Sequence, residues 1–185
     1  MSDTVIDPAA AAAVVDVGGQ RFAFEPHNCF ACGSLNEAGL RLPLHAANGR
    51  CWTEISLPRR FEGWQGMAHG GIVCTILDEV MAWALVEQDA WGVTARLNVT
   101  FKAPVRIETV IRGEGWLVDF RRRLMRTAGR LVEVSSGRLL ATAEGLYVAA
   151  SEERKRELKA RYRFRSLGPS DVGSAPSPTP DPPLP

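Results

Sequence analysis

Two carboxylates stand side by side where carboxylates are costly. Asp78 and Glu79 lie in GMAHGGIVCTILDEVMAWALV, residues 66–86, and from Ile72 to Val86 only Thr75 and these two acids interrupt an apolar run. An acid in such surroundings either finds partners or does chemistry. The chemistry open to it is that of a general base or a nucleophile. Nine residues before Asp78 stands His69, followed by Gly70 and Gly71. A glycine pair opening a helix leaves backbone N–H groups unsatisfied and admits a ligand at close range. That end of a helix also favours developing negative charge. His69 reads either as a cap for the helix or as a member of the reacting set. Glu79, about 100° around the helix from Asp78, is expected to pair with an arginine across an interface rather than to act in catalysis.

The elements that must position these groups can be read outward from them. The run 72–86 has no polar stripe, so it predicts a helix buried nearly all round. It is too short to span a bilayer. Residues 94–104, TARLNVTFKAP, alternate strictly: Ala95, Leu97, Val99 and Phe101 on one face, Arg96, Asn98, Thr100 and Lys102 on the other. That is the pattern of a half-buried strand. Residues 50–57, 109–120, 129–136 and 137–150 also read as strands, with a turn at 135–138 and a strand end at Ala103-Pro104. A strand, a long buried helix and a four-strand meander imply an α+β fold, an antiparallel sheet wrapped around one long central helix. Part of the helix would stay exposed along a seam, and a second protomer is the expected cover.

The bulk properties narrow the classes. The 185 residues are 45% hydrophobic and 23% charged with a net charge of +1, which gives no sequence-wide case for nucleic acid or an acidic membrane surface. Asp3 and Asp7 precede the alanine run without a basic segment, so a secretory signal is not expected. The chain reads as cytoplasmic, with no membrane partner and its four cysteines reduced. Residues 1–20 are expected to form a flexible arm or a short helix, 21–150 the folded domain and 151–165 a charged, exposed helix. The last stretch, 166–185, holds seven of the twelve prolines and is expected to be disordered.

Cys29 and Cys32 form a lone CxxC, with His27 and Cys51 as further potential ligands. Structural zinc sites usually draw ligands from two clustered pairs, and no second CxxC or HxxxH follows. The spacing therefore predicts no metal and a packed loop near a substrate entrance, with a redox dithiol or a metal as the alternatives.

FEGWQGMAHGGIVCTILDEVMAWAL followed by TARLNVTFKAPV resembles the hot-dog-fold acyl-CoA thioesterases of the PaaI-like group, in the 4-hydroxybenzoyl-CoA thioesterase superfamily. HNCFACGSLNEAGLRL, residues 27–42, is similar to an N-terminal element of a subset of that group. The resemblance covers roughly residues 27–149. It implies a homodimer or a dimer of dimers with active sites between protomers, and hydrolysis of an acyl-CoA with no cofactor, coenzyme A being part of the substrate. Asp78 matches the catalytic carboxylate and Thr94 a residue that positions the attacking water. The Gly70 N–H matches the oxyanion donor, flanked by His69 and Gly71. Thr100, Lys102, Ala103, Gly129 and Arg130 match positions lining the coenzyme A tail, and Trp64 either shapes the acyl pocket or packs as an ordinary aromatic. One departure stands out: many relatives carry Asn or Gln six residues before the motif histidine, where this chain has Gly63. That keeps open a rival expectation, a hot-dog protein that binds an acyl-CoA or acyl chain without hydrolysing it. A hydratase on the same fold would need a His-Asp or His-Glu arrangement that this sequence lacks.

Overall fold

The computed structural model describes residues 13–17, 20–85, 89–162 and 165–166. Its centre is helix α1, Gly70–Trp83. His69 precedes it in an extended conformation, and its Nδ1 accepts a hydrogen bond from the Gly71 N–H at 3.0 Å. This satisfies one of the four N–H groups a helix start leaves open, so the capping role is the one the geometry displays. Val73, Ile76, Leu77, Val80 and Met81 are fully buried, at the three- and four-residue spacing that makes one helical face. The other faces of α1 are only partly covered within a single chain, short of the all-round burial that the missing polar stripe implied.

Among the described residues nine strands form the sheet: β1 Ala13–Val17, β2 Gln20–Phe24, β3 Leu44–Ala47, β4 Arg50–Ser56, β5 Gly92–Phe101, β6 Val110–Arg121, β7 Leu124–Glu133, β8 Leu139–Ala149 and β9 Arg165–Ser166. Their order across the sheet is β5-β8-β7-β6-β4-β3-β1-β2-β9. All neighbours are antiparallel except β1 and β3. Helix α1 lies against β3 to β8. The approach is close because β6 carries glycine where the helix crosses. A Cβ on Gly115 would stand 2.6 Å from backbone atoms of Val80 and Met81, a distance that excludes any side chain. Among the described residues no helix is long and apolar enough to cross a membrane.

Several expectations change. The segment Ala13–Val17, assigned to a flexible arm or short helix, is strand β1, and Gln20 already belongs to β2. Backbone pairing to β3 and between the two strands, rather than periodicity, defines them. The four-strand meander is a three-strand one, β6-β7-β8. The preceding strand β5 crosses to the far side and pairs with β8. As an edge strand it is less buried than its alternation implied: only Leu97 and Val99 are partly covered. Helix α2, Glu152–Tyr162, falls within the expected 151–165 and carries no buried residue. It is tied down by Lys155 and Lys159, which both pair with Asp89. Ser166 pairs with β2, so the expected tail starts one residue later, and the rest of it lies outside the described residues.

Candidate active site

The sheet register brings two hydroxyls to one carboxylate. Thr94 of β5 and Tyr147 of β8 are direct cross-strand partners. Thr94 Oγ1 and the Tyr147 hydroxyl both reach Asp78 Oδ1 at 2.9 Å. Tyr147 also lies 3.0 Å from the Asp78 carbonyl, so its single proton is shared between two oxygens of one residue. Tyr147 is buried, and burial first and the nearby Asp78 charge second push its phenol well above the ordinary range. It therefore stays protonated and acts as a donor. With both donors on Oδ1, Oδ2 carries no hydrogen bond among the described residues. The sequence reading joined Asp78 to Thr94 but missed Tyr147. The available signal was a lone phenol among apolar residues of a strand, a group that seeks a hydrogen-bond partner when buried.

A second feature lies at the N-terminus of α1. A groove of about 520 Å³ is lined by Trp64, His69, Gly70, Phe101, Lys102 and Ala103, among others. Trp64 is 82% exposed, so it overhangs the groove and is no packed core aromatic. Gly63 also lines it, and a Cβ there would sit 3.0 Å from His69 Cα. Gly63 thus permits the tight turn against His69, and a larger residue would need His69 to give way. Gly71 and Thr100 are exposed beside this groove but outside its lining. Gly70 and Asp78 are eight residues apart on one helix, or about 12 Å by the helical rise. The groove and the Asp78 carboxylate are therefore separate features of one chain.

Gly129 and Arg130 are not at the groove. Gly129 is buried beneath Met81, whose Cγ would lie 3.1 Å from an added Cβ. Arg130 Nε instead donates to Glu114 Oε2 at 2.6 Å, while Arg112 Nε donates to Oε1 of the same carboxylate at 2.6 Å. Burial raises the Glu114 carboxyl, but the hydrogen bonds from Arg130 and Arg112 outweigh it and leave it below its ordinary value. In this chain Arg130 is thus held in an ion pair within the sheet.

Glu79 is half-buried within its own chain, where Trp83 Nε1 donates to its Oε1 at 2.9 Å. Its carboxylate and the sulfurs of Cys29 and Cys32 all lie within 4.8 Å of one another. Burial, then the Cys29 charge, pushes the Glu79 carboxyl up to about 7. The hydrogen bond from Cys32 holds the Cys29 thiol down to about 5. The Cys32 thiol is pushed far up, first by its bond to Cys29 and then by burial. Cys51 is fully buried in β4 and takes no part in the cluster.

A central helix embraced by an antiparallel sheet, with its N-terminus opening on a groove, is the hot-dog fold, and comparison with known proteins bears this out. Residues 65–139 match the model of the thioesterase superfamily. It is 26% identical over 98 residues to human acyl-coenzyme A thioesterase 13, a match spanning 52% of this chain and 70% of that one. Among solved structures, a thioesterase superfamily protein aligns with a TM-score of 0.62 at 24% identity over 65% of this chain. The match spans only 60% of that protein's length. A thioesterase protein from Streptococcus pneumoniae, solved with coenzyme A, aligns at 0.54 and 17% identity, covering 56% of this chain and 83% of its own. The Escherichia coli PaaI protein shares the fold at 0.53 and 13% identity, over 56% and 75%.

Proposed function

We propose that this protein hydrolyses an acyl-CoA thioester to the free acid and coenzyme A, with each active site assembled from two copies of the chain. The observation that carries the reading is the Asp78 carboxylate, anchored through Oδ1 by Thr94 and Tyr147 with Oδ2 left for water. On this reading Asp78 takes the proton from an attacking water, or attacks the thioester carbon itself. The Gly70 N–H at the partner's helix start receives the charge that develops on the carbonyl oxygen. His69 shapes that helix start, and Gly71 keeps its approach open. Trp64, Ala103 and Lys102 border the groove for the substrate, with Lys102 and the nearby Thr100 toward the coenzyme A end. The chemistry uses only protein groups and water.

The second copy is supported by strand β5. One edge pairs with β8, and the described residues place no strand on the other. Val93 at 71% exposure and Phe101 at 50% stand on this strand. A long uncovered edge with apolar side chains is a template for pairing. Joining two such edges would bring the Gly70 of one protomer toward the Asp78 of the other. The relatives named acyl-coenzyme A thioesterase and the coenzyme A-bound neighbour support the substrate class.

Gly63 favours a second reading, binding without turnover, because it places no polar side chain beside His69. Thiol release from short, long and aromatic acyl-CoAs, followed spectrophotometrically, separates the two. Release with at least one of them, abolished in Asp78→Asn, is the expected result. Tight binding of an acyl-CoA with no release would establish the second reading.

A further inference from the structure

The linear spacing argued against a metal because it looked for ligands in two pairs along the chain. The fold supplies them differently. Cys29 and Cys32 come from the loop between β2 and β3, and Glu79 comes from the middle of α1, some fifty residues later. Any two ligand atoms of one tetrahedral zinc lie about 3.3–3.8 Å apart, given bonds of about 2.0–2.3 Å. The two sulfurs and the Glu79 oxygen lie within 4.8 Å of one another, so a small inward movement brings all three to that spacing. A fourth group stands beside Cys32, outside that triplet. His27 Nε2 is 3.9 Å from Cys32 Sγ, and its Nδ1 is buried with no hydrogen-bond partner among the described residues. An orphaned buried ring nitrogen is costly, and the ring's other nitrogen is the one that faces Cys32.

We propose that His27, Cys29, Cys32 and Glu79 hold one zinc ion that clamps the β2–β3 loop onto α1. Two sulfurs, an imidazole and a carboxylate form a donor set that suits zinc and disfavours calcium or magnesium, which take oxygen ligands. On binding, the zinc takes two thiolates, and the thiol protons leave to solvent. Trp83 fits the scheme: its hydrogen bond to Glu79 Oε1 fixes the carboxylate and leaves Oε2 for the metal. A redox dithiol would account for the two cysteines but not for a carboxylate and an imidazole beside them. The clamp is structural and stands whether or not the chain hydrolyses thioesters. It grips α1 at the residue next to Asp78, and so fixes the rotation with which Asp78 faces Tyr147.

The test uses the full chain, purified without a metal-affinity step, stripped with chelator under reducing conditions and dialysed against micromolar zinc. Elemental analysis is expected to give about one zinc per chain in the wild type and in Cys74→Ser, a cysteine outside the cluster. Cys32→Ser and Glu79→Gln are expected to lose it. Cobalt in place of zinc should give the intense near-ultraviolet absorption of thiolate-to-cobalt charge transfer, which is read on the wild type and does not depend on the variants folding. A folded, reduced chain that takes up neither metal would overturn the proposal. So would zinc retained by both Cys32→Ser and Glu79→Gln, or a Cys29–Cys32 disulfide in the freshly purified protein that excludes zinc.

Discussion

Asp78 owes its position to two hydroxyls that arrive from different strands, and the carboxylate and the Tyr147 hydroxyl can be tested apart. Asp78→Asn keeps the shape and much of the hydrogen bonding but removes charge and basicity. A positioned general base contributes about 10²–10⁴-fold, so kcat for acyl-CoA hydrolysis should fall by that order while acyl-CoA binding survives. Tyr147→Phe keeps the ring that fills the core and deletes only the donor to Asp78. A hydrogen bond to a charged group is worth roughly 1.5–3 kcal/mol, and urea unfolding should register a loss of about that size. An Asp78→Asn enzyme as fast as wild type would make the carboxylate structural. At this scale the sequence was informative where chemistry is local. His69, Gly70, Gly71 and Asp78 lie on one helix, so their spacing alone placed them. Tyr147 and the partners of Glu79 were hidden because their proximity depends on strand register and on a loop far away in the chain.

At the scale of elements, the fold depends on how closely α1 lies on β6, and Gly115 sets that distance. An alanine there would put its Cβ 2.6 Å from helix backbone, which no rotamer change can relieve. Overpacking in cores commonly costs about 1–3 kcal/mol, and Gly115→Ala should reach at least the upper part of that range in urea unfolding. A neutral result would mean that the helix sits farther from the sheet. The strands are also linked by charge, since Glu114 joins Arg112 and Arg130 across β6 and β7, and Arg112 reaches Glu54 of β4 at 3.2 Å. Glu114 titrates below its ordinary 4.5 in the fold. Its stabilising contribution is therefore complete above that pH and is lost as pH falls through the lowered folded value. Glu114→Gln should lower the melting temperature at pH 7 and flatten the acid limb of stability against pH; an unchanged acid limb would show the network to be idle. Alternation and turn signals made β4 to β8 legible in the sequence. They could not reveal that β5 leaves the meander, nor that β1 runs parallel to β3, because such pairings are decided by long-range packing.

For the whole molecule, the proposed active site has a geometry that one chain cannot complete. Gly70 and Asp78 are about 12 Å apart on the same rigid helix, too far for one thioester carbon to meet both. The edge of β5 and the half-covered faces of α1 offer the surface for a second copy, and a two-fold axis would give two equivalent sites per dimer. Light scattering at micromolar concentration should therefore report a dimer or larger. A sharper test uses complementation between two inactive variants, Asp78→Asn and Gly70→Val, the latter placing bulk at the helix start where an added Cβ meets only the Phe101 ring at 3.5 Å. In a mixed dimer, one site combines the intact Gly70 of the first variant with the intact Asp78 of the second. The other site carries both lesions and is dead. Random assortment from equal amounts makes half the dimers mixed, so co-expression should recover about a quarter of wild-type activity. Each variant alone should stay near background. If the site lay within a single chain, mixing could never exceed the average of the two parents, and recovery would be absent.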